Sequence, residues 1–110
     1  MMKKTNWTQI PKLSLPDMQR RIFTGQNVML VRNVIRPHAI LEAHSHPHEQ
    51  MIYVLGGRCA VTVGTQCMEM AAGDMALIPG GETHQVTALG EEELDIIDIF
   101  SPVREDFLAE

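Results

Sequence analysis

The chain is built from short apolar runs, each closed by a turn residue, and this limits it to folds made of short strands. The runs fall at residues 28–31, 34–35, 40–41, 51–55, 59–63, 66–70, 75–78, 85–89 and 94–100. Pro37, Gly56-Gly57, Gly64, Gly73-Asp74, Pro79-Gly80-Gly81 and Gly90 punctuate them. Many short strands with regular turn signals predict an all-β sandwich or barrel. Only residues 104–109 hold a helical period. Residues 1–25 read differently, because Pro11 and Pro16 leave no room for a long helix. They are expected to form an irregular arm whose Trp7, Ile10, Leu13 and Leu15 pack on the chain's own domain or on a neighbour. Residues 26–110 then form the barrel domain, and 110 residues suffice for one core.

Placing a two-residue turn at Gly64-Thr65 makes one hairpin testable. Cys59 then faces Met70, and Cys67 faces Thr62 on the opposite side of the sheet. No disulfide follows, in keeping with a reducing compartment. Cys59, Val61, Val63, Met68 and Met70 share the core side, and the eight methionines are expected to serve mainly as adaptable core filler. A net charge of -5, with Lys3-Lys4 and Arg20-Arg21 as the only short basic groups, argues against a nucleic-acid partner. No apolar segment follows Lys3 and Lys4, and no run approaches membrane-spanning length, so neither a signal peptide nor a membrane is expected and the address is cytoplasmic.

Candidate chemistry begins at His44-Ser45-His46-Pro47-His48-Glu49-Gln50, directly before the apolar run 51–55. In a strand, His44 and His46 point to the same face and can converge on one metal ion. Gln50 adds a neutral oxygen donor, Glu49 points the other way, and His84 follows the Pro79-Gly80-Gly81 turn. His38 and His48 have weaker claims. The plainer reading of a single histidine is a hydrogen-bonded structural residue, and of Gln50 a surface glutamine beside three histidines and water.

These motifs resemble those of the cupins, small double-stranded β-helix or jelly-roll barrels. The first cupin motif is met by His44, His46 and Gly57, the second by Gly73, Pro79, Gly81 and His84. His38 stands where a glycine is usual, Gln50 replaces the ligand glutamate, and Ala88 replaces an asparagine. A divalent nickel, zinc, manganese or iron ion held by three histidines and a glutamine keeps its double charge, so it favours an anionic ligand and acts as a Lewis acid.

In residues 94–104, Leu94, Ile96, Asp98 and Phe100 share one face. If that face lines the barrel, burial raises the pKa of Asp98 toward that of a proton carrier. Arg104 offers a planar fork for a carboxylate. On these residues alone, a surface strand with Arg104 paired to Glu105 or Asp106 is slightly favoured. The phrase His-Ser-His-Pro-His-Glu-Gln, with the closing Asp98-Ile99-Phe100-Ser101-Pro102-Val103-Arg104, is similar to the pectin-degradation cupins. That resemblance implies His44, His46, Gln50 and His84 as metal ligands and Asp98, Phe100 and Arg104 as catalytic residues. It implies conversion of 4,5-unsaturated monouronates to linear keto-deoxyuronates, with a small anionic sugar acid as partner. An iron-dependent dioxygenase and a non-catalytic sugar-acid-binding module are the alternatives. Ile97 and Ile99 point away from Asp98 and need cover, so a homodimer is expected.

Overall fold

The chain reverses where its glycines and prolines predict. The computed structural model describes residues 1–108 and, among them, nine strands. These are β1 (Leu13–Leu15), β2 (Met18–Thr24), β3 (Met29–Ile35), β4 (Glu49–Gly56), β5 (Arg58–Val63), β6 (Gln66–Ala71), β7 (Met75–Ile78), β8 (His84–Leu89) and β9 (Leu94–Ser101). A six-stranded sheet runs β1-β2-β3-β9-β4-β7 and a three-stranded sheet runs β6-β5-β8, with every pairing antiparallel. This is the all-β sandwich expected of a jelly roll.

Alternation sets the core. Met29, Val31 and Ile35 of β3, Ile52 and Val54 of β4, and Leu94, Ile96 and Phe100 of β9 are buried from the large sheet. Cys59, Val61, Met70, Val86 and Ala88 meet them from the small one. Burying one such Val, Ile or Leu contributes roughly 1.5–3 kcal/mol. The predicted hairpin forms in the expected register, Cys59 opposite Met70 and Thr62 opposite Cys67, and both thiols are free.

Several expectations are corrected. The first 25 residues are not an irregular arm throughout, because β1 and β2 extend the large sheet by pairing with each other and with β3. Runs 28–31 and 34–35 are one strand, joined through Arg32 and Asn33. Residues 40–41 provide only an isolated bridge from Ile40 to Thr87. The expected terminal helix is a single 3-10 turn, Glu105–Phe107, and Ala109 lies outside the described residues. Met29 and Met70 are core filler, but Met51, Met68 and Met75 are exposed.

Candidate metal centre

The interior of the sandwich is apolar except at one place. Among the described residues, the buried polar side chains are Asn33, His46, Gln50, His84 and Asp98, and they form one cluster. Asn33, Gln50, Asp98 and His84 each occupy an inward position that alternation would otherwise give to an apolar residue. Burying this much polarity is costly unless it is hydrogen-bonded or bound.

The histidines converge, though not as sequence periodicity suggests. His44 and His46 precede β4 instead of lying in it. His44 is held by a bridge to His84, with His44 N–H donating to the His84 carbonyl at 3.0 Å and His84 N–H returning the bond at 2.9 Å. One ring nitrogen from each of His44, His46 and His84 lies within 4.8 Å of the others. Every one of these rings sets Nδ1 against a backbone carbonyl: His44 to Glu42 at 3.1 Å, His46 to His48 at 3.1 Å, and His84 to Glu82 at 2.9 Å. A carbonyl only accepts, so Nδ1 carries the proton and Nε2 is left with a lone pair. That tautomer is the one a metal requires.

Two further observations fit a cation at this point. His84 Nε2 is buried without a hydrogen-bond partner. His46 Nε2 lies 3.0 Å from Gln50 Oε1, whose own amide nitrogen is committed to Asp98 Oδ1 at 2.9 Å. With Nδ1 already donating, a neutral His46 would set a lone pair against an oxygen. Burial holds the pKa of both His46 and His84 below the usual histidine value, which favours the neutral ring. A cation between His46 Nε2 and Gln50 Oε1 resolves that conflict. His48 is half-buried beside His46, at a ring separation of 5.4 Å, and His38 is exposed near Glu91.

Asp98 is buried as its strand parity predicts. Burial pushes its pKa up to about 6, against the opposing hydrogen bonds from Asn33 and Gln50. Phe100 packs its ring 5.5 Å from that of His46. Arg104 lies over Phe100 and Phe107, with its side chain 11% exposed, and is also paired with Asp106 at 2.8 Å. The ion pair expected for Arg104 is therefore present, and the same side chain also lines the cavity. Asp98, Phe100 and Arg104 line, with His44, Gln50 and His84, a cavity of about 230 Å³ that also includes Arg20 and Glu42. A larger hollow of about 460 Å³ beside the N-terminal segment is lined by Trp7, Ile10, Phe23 and Leu30 and has no comparable convergence of buried polar groups. The smaller cavity is therefore the candidate site.

Sequence reasoning missed Asn33, Arg20 and Phe107. Arg20 Nε donates to Asn33 Oδ1 at 2.9 Å, Asn33 Nδ2 donates to Asp98 Oδ2 at 2.9 Å, and the Arg20 guanidinium lies over the Phe107 ring at 4.2 Å. Asn33 left a readable signal, since it interrupts the inward series Met29, Val31, Ile35.

The Cupin_2 model of the cupin domain matches residues 32–100. The pectin degradation protein KdgF of Dickeya dadantii is 34% identical over 93 residues, 83% of this chain and 84% of that protein. The Streptomyces coelicolor protein SCO3923 is 32% identical over 57 residues, which span 52% of this chain and only 53% of that one. Among solved structures, KdgF from Halomonas sp. superposes with a TM-score of 0.90 at 25% identity, covering 97% of this chain and 99% of its own. The double-sheet fold, the match across most of both strand layers and the KdgF relatives agree: this chain belongs to the cupin family.

Proposed function

We propose that the protein is a metal-dependent enzyme that opens and ketonises 4,5-unsaturated monouronates, released by pectin or alginate breakdown, to linear keto-deoxyuronates. The observation that carries this reading is the joining of two kinds of chemistry through one side chain. Gln50 touches the histidine cluster with its oxygen and the proton-carrying Asp98 with its nitrogen. The similarity to two KdgF proteins supports the substrate class.

The substrate is a cyclic enol ether conjugated to a carboxylate. His44, His46, Gln50 and His84 would hold one divalent transition metal, of which nickel, zinc, manganese and iron suit the donor set. A cation bound there would supply Lewis acidity to enolate charge as it develops. Arg104 would grip the substrate carboxylate, exchanging its bond to the exposed Asp106 for one inside the cavity. Phe100 would pack on the ring. Asp98 would take the proton of the anomeric hydroxyl as the bond from C1 to the ring oxygen breaks, leaving an aldehyde at C1 and an enolate at C5. It would then deliver that proton to C4, and the enolate becomes a ketone. No proton, electron or water is gained or lost overall. A carboxyl whose pKa is about 6 is suited to both transfers near neutral pH.

The test is loss of the substrate's ultraviolet double-bond absorbance, followed without oxygen and against a buffer control. Wild-type protein should remove it at a rate that falls on chelation and returns with added divalent metal. Asp98→Asn should lower the rate by about 10²–10⁴-fold, the usual contribution of general acid–base catalysis. A rate that required oxygen would favour the dioxygenase, and binding without turnover the non-catalytic module. We also read the enzyme as a cytoplasmic homodimer. The free thiols support the compartment and the apolar outer sheet face supports the dimer.

A further inference from the structure

Four side chains on adjacent strands form a hydrogen-bond chain that crosses the large sheet and ends at the metal centre. Arg20 of β2 donates to Asn33 of β3, Asn33 donates to Asp98 of β9, and Gln50 of β4 donates to the other Asp98 oxygen. The Gln50 oxygen is thereby turned toward His46. Arg20 and Asn33 are direct register partners, whereas Asp98 lies diagonally from both Asn33 and Gln50, the separation at which long polar side chains meet.

Two members of the chain are carboxamides. Their oxygen and nitrogen ends are nearly alike in shape and opposite in hydrogen-bonding sense, so packing alone does not choose between them. The other two members do choose. A guanidinium only donates and a carboxylate only accepts. Reversing Asn33 would set its amide against Arg20 and its oxygen against Asp98. Reversing Gln50 would set its oxygen against Asp98 and present an amide to the histidines, where no metal could use it.

We propose that Asn33 and Asp98 are positioning residues of the metal centre, which lock the Gln50 carboxamide with its oxygen toward His44, His46 and His84. Arg20 anchors the far end. This gives Asp98 a duty separate from proton transfer, and it rests on the reading of Gln50 as a metal ligand.

The experiment uses cobalt(II) as probe, reading its affinity by chelator competition and its ligand-field spectrum in the visible. Gln50→Ala should change the spectrum and weaken binding. Asn33→Ala and Asp98→Asn should each weaken binding by about tenfold or more and shift the spectrum in the same direction as Gln50→Ala. Asp98→Asn also removes a charge near the ion, which acts on affinity, not on the ligand set, and that affinity effect persists when Gln50 is gone. The positioning effect does not persist, so in the Gln50→Ala background neither second substitution should move the spectrum further. Asp98→Asn preserves shape and carries the test should Asn33→Ala fail to fold.

If Gln50→Ala differs from wild type while Asn33→Ala and Asp98→Asn keep the wild-type spectrum, the positioning proposal is wrong and the ligand assignment stands. If Gln50→Ala itself matches wild type, both are wrong. A lowered thermal midpoint for metal-free Asn33→Ala with an unmoved spectrum would mark Asn33 as merely structural and would also overturn the proposal.

Discussion

Asp98 shows how much of a site a single residue can expose. Its place among Leu94, Ile96 and Phe100 put a carboxyl on an apolar face, and the fold buries it there with its pKa raised to about 6 from an ordinary 3.8. The sign of the consequence follows from linkage. The unfolded chain releases this proton at lower pH than the folded one, so the fold gains relative stability while the proton is on. That contribution is complete below the unfolded value of 3.8 and is lost as pH rises through about 6. Metal-free wild type should therefore lose roughly 2 kcal/mol relative to metal-free Asp98→Asn between about pH 4 and about pH 8. Urea unfolding of both proteins at the two pH values reads the change, and a constant gap would contradict it. His44, His46, Gln50 and His84 were legible as candidates through motif spacing, Phe100 through its parity with Asp98, and both Phe100 and Arg104 through the family resemblance. Asn33 was not, although it breaks the apolar series of β3 as Asp98 breaks that of β9. Its charge is zero, and a neutral amide inside a strand raises no alarm unless the strand is already known to be buried on that face.

At the scale of elements, two loops meet beside the candidate metal centre and one glycine lets them approach. The turn Pro79-Gly80-Gly81 lies directly on the segment that carries His46. Gly81 N–H donates to the His46 carbonyl at 2.8 Å, and a Cβ added at Gly80 would collide with the Pro47 carbonyl oxygen. The collision is with backbone, so it is relieved only by moving one loop away from the other. Gly80→Ala should therefore lower metal affinity by about tenfold or more, by displacing His46, and should destabilise the fold by roughly 1–3 kcal/mol. Gly25→Ala, whose Cβ would meet Val28 at 3.4 Å away from the site, should leave metal affinity unchanged. Chelator competition on both variants checks the pair. Strands β4 to β9 were legible within a residue or two because their inward positions are mostly apolar and Gly or Pro lies near their ends, whereas polar Asn33 split β3 into two runs. β2 was hidden for the opposite reason. Its inward series is Met18, Arg20 and Ile22, and Arg20 lines the candidate site, so the alternation fails where a hydrogen-bonded polar group replaces apolar packing. β1 has three residues and lies at the sheet edge, too short to show any period.

For the molecule as a whole, the chemistry faces inward and the large sheet's outer face is left apolar. Phe23, Leu30, Ile99, Met51 and Leu77 stand opposite one another in a single row across β2, β3, β9, β4 and β7. Ile97, Tyr53 and Met75 form part of the neighbouring row. The N-terminal segment shelters one end, where Trp7 lies near Arg32 and lines a hollow with Phe23 and Leu30. The other end is open: Met75 is 73% exposed, Leu77 54% and Met51 47%. A contiguous apolar patch of this kind on a folded surface marks an interface, and a flat sheet face is suited to a two-fold partner that presents the same patch. The protein should therefore sediment as a dimer at micromolar concentration. Met51→Glu combined with Leu77→Glu would bring like charges into the contact and should yield a monomer. Because both side chains point away from the cavity, that monomer should bind metal as the wild type does, so assembly and site should separate cleanly. A wild-type protein that sedimented as a monomer would dismiss the dimer and leave the exposed row without a partner. A double variant that remained dimeric would place the interface elsewhere, with the N-terminal segment and its hollow as the next surface to probe.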